Sequence, residues 1–140
     1  VLRGNYGYTN ATFVDYTTAS DADSKKGEDY SGNYVPFVPK HTMNIDAAYT
    51  WYLGDNALTF EANCSGAGRI YWTESNSVSE PFYSLLGARL SYQSPKFTIT
   101  LWGKNILDKD YSTFYFESAS RGYEQCAKPA RVGVDLKLHL

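Results

Sequence analysis

Arg131-Val132-Gly133-Val134-Asp135-Leu136-Lys137-Leu138-His139-Leu140 is the stretch whose reading decides the fold. Val132, Val134, Leu136, Leu138 and Leu140 are apolar, and every residue between them is charged, polar or glycine. Period two is the signature of a strand, because successive side chains leave the backbone on opposite sides. One face of this strand is continuously apolar and the other carries charge. Such a strand separates an apolar phase from a wet one.

The same period recurs upstream. A strand is expected over Lys40–Tyr52, with Met43, Ile45, Ala47, Tyr49 and Trp51 on one face and Thr42, Asn44, Asp46, Ala48 and Thr50 on the other. Leu53-Gly54-Asp55-Asn56 has the residue chemistry of a tight turn. The next strand, Ala57–Trp72, sets Leu58, Phe60, Ala62 and Cys64 against Thr59, Glu61 and Asn63. Phe82–Gln93 sets Leu86, Ala88, Leu90 and Tyr92 against Gly87, Arg89 and Ser91. After the short Ser94-Pro95-Lys96 turn, Phe97, Ile99 and Leu101 alternate with Thr98 and Thr100. That alternation fails at Trp102-Gly103, from either a bulge or an inward-facing indole. The opening segment, Leu2–Val14, is a strand with an untidy upper end. Asp15–Pro39, Thr73–Pro81 and Asp108–Ala130 read as long connections, the first polar and structureless, the last rich in aromatics.

Alternation alone fits a soluble sandwich as well as a membrane barrel, and three features favour the barrel. No charge falls on the apolar faces, whereas Asp46, Glu61, Arg89, Arg131, Asp135 and Lys137 occupy the opposite ones; a cation facing lipid at mid-bilayer costs about 2–4 kcal/mol. The expected strands also match the ~9–11 residues needed to cross a bilayer at a tilt. Finally, short turns alternate with long connections, as in barrels with short turns on one side and long loops on the other. Tyr49, Trp51, Phe60, Tyr92 and Phe97 lie beside the short turns, and Tyr71 and Trp72 at the opposite rim, where two interfacial girdles belong.

Composition excludes several classes. A length of 140 residues allows one domain or a piece of a larger one, and a net charge of −2 with no basic cluster gives nucleic-acid binding no support. Cys64 and Cys126 make neither a disulfide framework nor a metal-ligand spacing, and His41 and His139 are far apart in sequence. No nucleophile elbow or phosphate-cradling loop is present, so neither an enzyme nor a cofactor is expected. Asp108 and Asp110 flank a connection and are expected to cap turns. The chain begins in mid-pattern at Val1-Leu2-Arg3, as a fragment or processed piece does.

Asn105-Ile106-Leu107-Asp108-Lys109-Asp110-Tyr111 resembles the Asn-Leu-Phe-Asp-Lys-x-Tyr stretch in the penultimate strand of TonB-dependent outer-membrane receptors. Val35-Pro36-Phe37-Val38-Pro39-Lys40-His41-Thr42 is similar to the Pro-x-x-Thr start of a strand in many of these receptors. The final strand (Val132, Val134, Leu136, Leu138, Leu140) resembles the family's assembly signal, although the family usually ends in Phe or Trp. The resemblance implies an all-β, antiparallel arc of six long tilted strands, the carboxy-terminal part of a 22-stranded barrel lacking its plug and earlier strands. It implies the outer membrane of a Gram-negative bacterium, with the C-terminus periplasmic and the long loops extracellular. TonB, engaged through the absent amino-terminal region, the barrel-assembly machinery and outer-membrane lipid are the implied partners. The implied activity is TonB-dependent uptake of a scarce small-molecule solute such as a ferric siderophore.

Within that frame, Tyr30, Tyr34, Phe37, Tyr71, Trp72, Tyr115 and Phe116 are candidate ligand-facing loop residues. Asp46, Glu61, Arg89, Lys104, Asp135 and Lys137 are candidate lumen-facing residues. The rival readings are a soluble carbohydrate-binding β-sandwich, whose apolar faces meet in a core, and a barrel-type enzyme, which needs a Ser/His pair on one face.

Overall fold

The computed structural model describes residues 1–18, 27–119 and 121–139. Asp21, Asp23, Lys25 and Lys26 of the first long connection, and Leu140 of the final strand, lie outside them. The described residues form ten strands: β1 (Leu2–Tyr8), β2 (His41–Leu53), β3 (Asn56–Gly68), β4 (Ile70–Tyr71), β5 (Ser79–Glu80), β6 (Tyr83–Gln93), β7 (Phe97–Lys104), β8 (Ser112–Ser118), β9 (Arg121–Cys126) and β10 (Arg131–Leu138). Six of them make one antiparallel sheet in the order β1-β2-β3-β6-β7-β10. The outer strands β1 and β10 do not pair with each other, so the sheet is an open arc.

Pairing follows from the alternation. Tyr49 faces Phe60, Phe60 faces Leu90, Leu90 faces Leu101, and Leu101 faces Val134, so one apolar row crosses five strands. One residue along, Glu61 faces Arg89 on the other side of the sheet. The two short turns sit where expected, with Leu53 opposite Asn56 and the Ser94 N–H bonded to the Phe97 carbonyl at 2.8 Å.

Among the described residues the sheet has no core on either face. Ile45 is 46% exposed, Phe60 42%, Leu90 39% and Val134 65%. Among the described residues the buried apolar side chains are Ile70 and Trp72, and both belong to the loop layer. No second sheet covers the apolar face among the described residues, an arrangement that does not favour the soluble sandwich.

Several boundaries differ from the sequence expectation. β2, β3 and β6 have 13, 13 and 11 residues, but β1, β7 and β10 have only 7, 8 and 8. The third strand does not run to Trp72. It stops at Gly68 (φ +127°), where a Cβ would lie 2.6 Å from the Phe82 Cα, so only glycine lets the two backbones approach. Ile70–Tyr71 then pairs with Ser79–Glu80 as a separate small hairpin. At Trp102-Gly103 the register with β6 and β10 is unbroken, so no bulge exists and the indole is on the polar face. Gly133 lies opposite Trp102, and a Cβ there would come 2.4 Å from the indole; the missing side chain makes room for the ring.

The first strand ends at Tyr8 rather than Val14, yet the connection that follows is not structureless. Its described arms are joined by Thr9 N–H to Lys40 O (2.9 Å), Phe13 N–H to Asn33 O (2.9 Å) and Tyr30 N–H to Tyr16 O (2.8 Å). The last connection contains the β8–β9 hairpin, in which Phe116 faces Tyr123.

Candidate functional site

The polar face of the sheet is the first candidate surface. Asp46 on β2 accepts a hydrogen bond from Asn63 Nδ2 on β3 at 2.6 Å, and the same nitrogen reaches Asn44 Oδ1 at 2.8 Å. Asn44 also donates to Asp46, which closes a triad across the two strands. Thr50 with Thr59, and Ser91 with Thr100, pair their hydroxyls at 3.0 Å. Glu61 and Arg89 form an ion pair at 3.8 Å with both side chains about half exposed. Such a pair is worth little in stability, because water screens it. Asp46, Glu61, Arg89, Lys104 and Asp135 line one trough of about 1070 Å³ on this face. Lys137 shares their side of the sheet but pairs with Thr98 towards the short-turn end, outside that trough.

The loop layer is the second surface. Tyr34 and Tyr71 stack with ring planes 2° apart and centroids 5.1 Å apart, and the Lys40 ammonium lies 4.0 Å from the Tyr34 centroid. Phe37 packs against Trp72 and stacks on Phe114, both at 5.6 Å. Phe114 leads to Phe116 (5.9 Å), and Phe116 to Tyr123 (5.1 Å). One rib of aromatic rings therefore ties the three long connections together. Backbone contacts hold them in place: Phe37 N–H to Tyr71 O (2.8 Å), and Asn76, whose side chain accepts from Tyr34 N–H (2.7 Å) and donates to Tyr34 O (2.9 Å). Phe37 adopts φ +64°, a conformation costly for a bulky side chain and maintained here by its packing partners.

The structure thus gathers Tyr34, Phe37, Tyr71, Trp72 and Phe116 into one assembly, with Trp72, 7% exposed, serving as its anchor rather than as contact surface. Tyr30 and Tyr115 stand apart. Tyr30 donates to Glu28 in the first connection, and this bond raises its pKa to about 12. Asp29 nearby is held below the usual carboxylate range by hydrogen bonds from Ser31. Tyr115 projects from the opposite side of its hairpin and donates to Glu117 at 3.1 Å. Trp72 and Tyr71 thus pack within the loop layer. At that end the apolar face instead carries Tyr6, Tyr8 and His41, with Tyr6 Oη 2.7 Å from His41 Nδ1 and the Tyr8 ring 5.2 Å from the imidazole.

Sequence reading missed Phe114 and Lys128 as site residues, whereas the inward-facing indole was one of its two readings of Trp102. Phe114 sits in a run of aromatics that hides the period, and Lys128 has no periodic neighbours. Tyr111 at the end of the motif is explained by stacking on Tyr83 at 4.1 Å.

The motif itself is a clamp. Asn105 (φ +49°) is the buried polar residue: it accepts from Lys109 N–H at 2.9 Å and donates to the carbonyls of Lys109 (3.0 Å) and Lys128 (3.2 Å). Asp108, also left-handed, accepts from Ala130 N–H at 2.7 Å, a tie between distant segments rather than the turn cap expected of it. Asn and Asp tolerate this conformation better than other side chains. Together they fasten the end of β7 to the residues leading into β10.

A sheet with an exposed apolar face, a polar trough and a crown of long loops is a segment of transmembrane barrel wall. The family model described as TonB dependent receptor-like, beta-barrel, matches residues 2–106, so the chain belongs to the TonB-dependent receptor family. It is 26% identical over 121 residues to the ferrichrome outer membrane transporter/phage receptor of Escherichia coli K12, covering 82% of this chain and 15% of that protein. Its fold is that of part of the ferric yersiniabactin uptake receptor FyuA from Yersinia pestis, with a TM-score of 0.73, 24% identity and coverage of 80% of this chain and 18% of that one. The chain spans less than a fifth of the length of either relative. Its place is the outer membrane of a Gram-negative bacterium.

Proposed function

We propose that this chain is the carboxy-terminal wall of a TonB-dependent transporter that takes up a scarce solute such as a ferric siderophore. The observation that carries the reading is the split face of the sheet: an uncharged apolar side left exposed, backed by a polar trough. Only a barrel wall in lipid makes both faces favourable at once. On this reading the apolar row faces hydrocarbon, the trough faces the lumen, and the long loops are extracellular. Val132, Val134, Leu136 and Leu138 supply the lipid-facing pattern through which the barrel-assembly machinery recognises a closing strand. The aromatic rib orders the outer loops, and the half-exposed rings of Phe37 and Phe116 offer faces to the solute. TonB acts through a plug supplied by another part of the receptor. The role is transport, with no catalytic step assigned to the chain.

The ferrichrome relative supports a ferric chelate as cargo. The test is uptake of radiolabelled iron, supplied as individual ferric siderophores, by the host and by strains lacking the receptor or TonB. The reading expects uptake from at least one chelate to be lost in both strains. Unchanged uptake of every chelate without the receptor, or uptake persisting without TonB, would contradict it.

A further inference from the structure

The charges in the trough are unevenly shared. On the β3–β6 side Glu61 meets Arg89, and among the described residues this is the ion pair within 4.0 Å. On the β7–β10 side the arrangement is reversed. Arg131 and Lys104 are direct cross-strand partners on the same face, and Lys128 lines the same trough. Like charges directly opposite on a sheet repel. The carboxylate on this part of the face, Asp135, lies four residues along β10 from Arg131, about 13 Å at the rise of a strand. Asp108, four residues from Lys104 in sequence, accepts from the Ala130 N–H and makes no ion pair within 4.0 Å among the described residues. The Lys104 ammonium lies 5.8 Å from the centroid of the Trp102 ring. The Asn105 clamp bonds the Lys128 carbonyl, which ties the backbone of that lysine to the end of β7.

We infer that Lys104, Lys128 and Arg131 form an anion-binding subsite at the long-loop end of the trough, built to take a multivalent oxyanion such as a polycarboxylate or phosphate. Three cations held on anchored backbone, with no carboxylate within 4.0 Å of them among the described residues, are complementary to several negative oxygens at once. An arginine provides a planar fork for one carboxylate or phosphate edge, while the two lysines serve as point charges. The inference rests on the trough being the wet interior proposed above.

The test uses the complete receptor purified in detergent, with citrate as the polycarboxylate probe and titration calorimetry as the readout. The parent receptor is expected to bind citrate with an affinity that falls as salt rises. Lys104→Gln/Arg131→Gln is expected to weaken binding by about tenfold or more, because each charged hydrogen bond contributes on that scale. Relieving a like-charge pair should not unfold the wall, so resistance to urea should hold or rise in the same variant. Lys137→Gln, at the far end of the same face, is expected to leave affinity unchanged. Absence of citrate binding in the parent, equal affinity in the double variant, or equal loss in Lys137→Gln would overturn the subsite. A cysteine placed at Ser91, with Cys64→Ala and Cys126→Ser removing the native thiols, separates the two readings. Labelling by a charged thiol reagent together with failed citrate results sinks the subsite alone; no labelling sinks the wet interior on which it rests.

Discussion

Asn105 shows how one side chain holds a wall strand to its neighbour. Its amide satisfies one N–H and two carbonyls at a place where the backbone turns left-handed and no ladder can do so. Asn105→Ala should cost about 2–3 kcal/mol, since it leaves buried polar groups unpaired. Asn105→Asp keeps the acceptor but sets a carboxylate against two carbonyls, and should cost at least as much; urea unfolding of the receptor in detergent measures both, and a cost for Asn105→Ala near zero would contradict the clamp. Tyr30 gives a pH signature outside the membrane. Its native pKa of about 12 lies above the 10.0 of an ordinary phenol, so the Glu28–Tyr30 bond contributes fully below pH 10 and is lost as pH rises through 12. The absorbance titration of the parent minus that of Tyr30→Phe should show one phenol ionising near 12. Glu28→Gln should return it towards 10.

At the scale of elements, the two faces of β6 should answer differently to the same kind of change. Leu90→Arg puts a cation in the apolar row and should destabilise the wall by about 2–4 kcal/mol in lipid. Arg89→Leu removes a half-exposed ion pair and should cost no more than about 1 kcal/mol. Equal costs in a urea titration would mean that the faces are not in different phases. Six of the ten strands were legible in the sequence because each shows period two with charge on one side only. What escaped was set by contacts between distant segments. The end of β3 depends on Phe82 crossing Gly68, fourteen residues away in sequence, which no local pattern reports. Trp102 breaks the period because Gly133 on another strand leaves it space. The β8–β9 hairpin is hidden since Phe114, Tyr115 and Phe116 are apolar on both parities. The polar strand residues of the trough were legible from parity, unlike Lys128, and the rib that joins the loops required their folding back on one another.

For the molecule as a whole, the open sheet leaves backbone donors and acceptors unpaired along β1 and β10, edges that seek partner strands. Expressed without further strands, the chain should therefore associate; light scattering of the refolded chain in detergent should report species larger than a monomer. The split between phases is tested most directly by cysteines placed singly from Val132 to Lys137, in the receptor reconstituted in lipid with Cys64 and Cys126 replaced. The measurement compares labelling by a charged aqueous thiol reagent with quenching, by nitroxide lipids, of a fluorophore at each site. Positions 132, 134 and 136 should be quenched and poorly labelled, while 133, 135 and 137 are labelled and spared. Uniform labelling along the strand, or quenching without alternation, would contradict a wall with hydrocarbon on one side and water on the other.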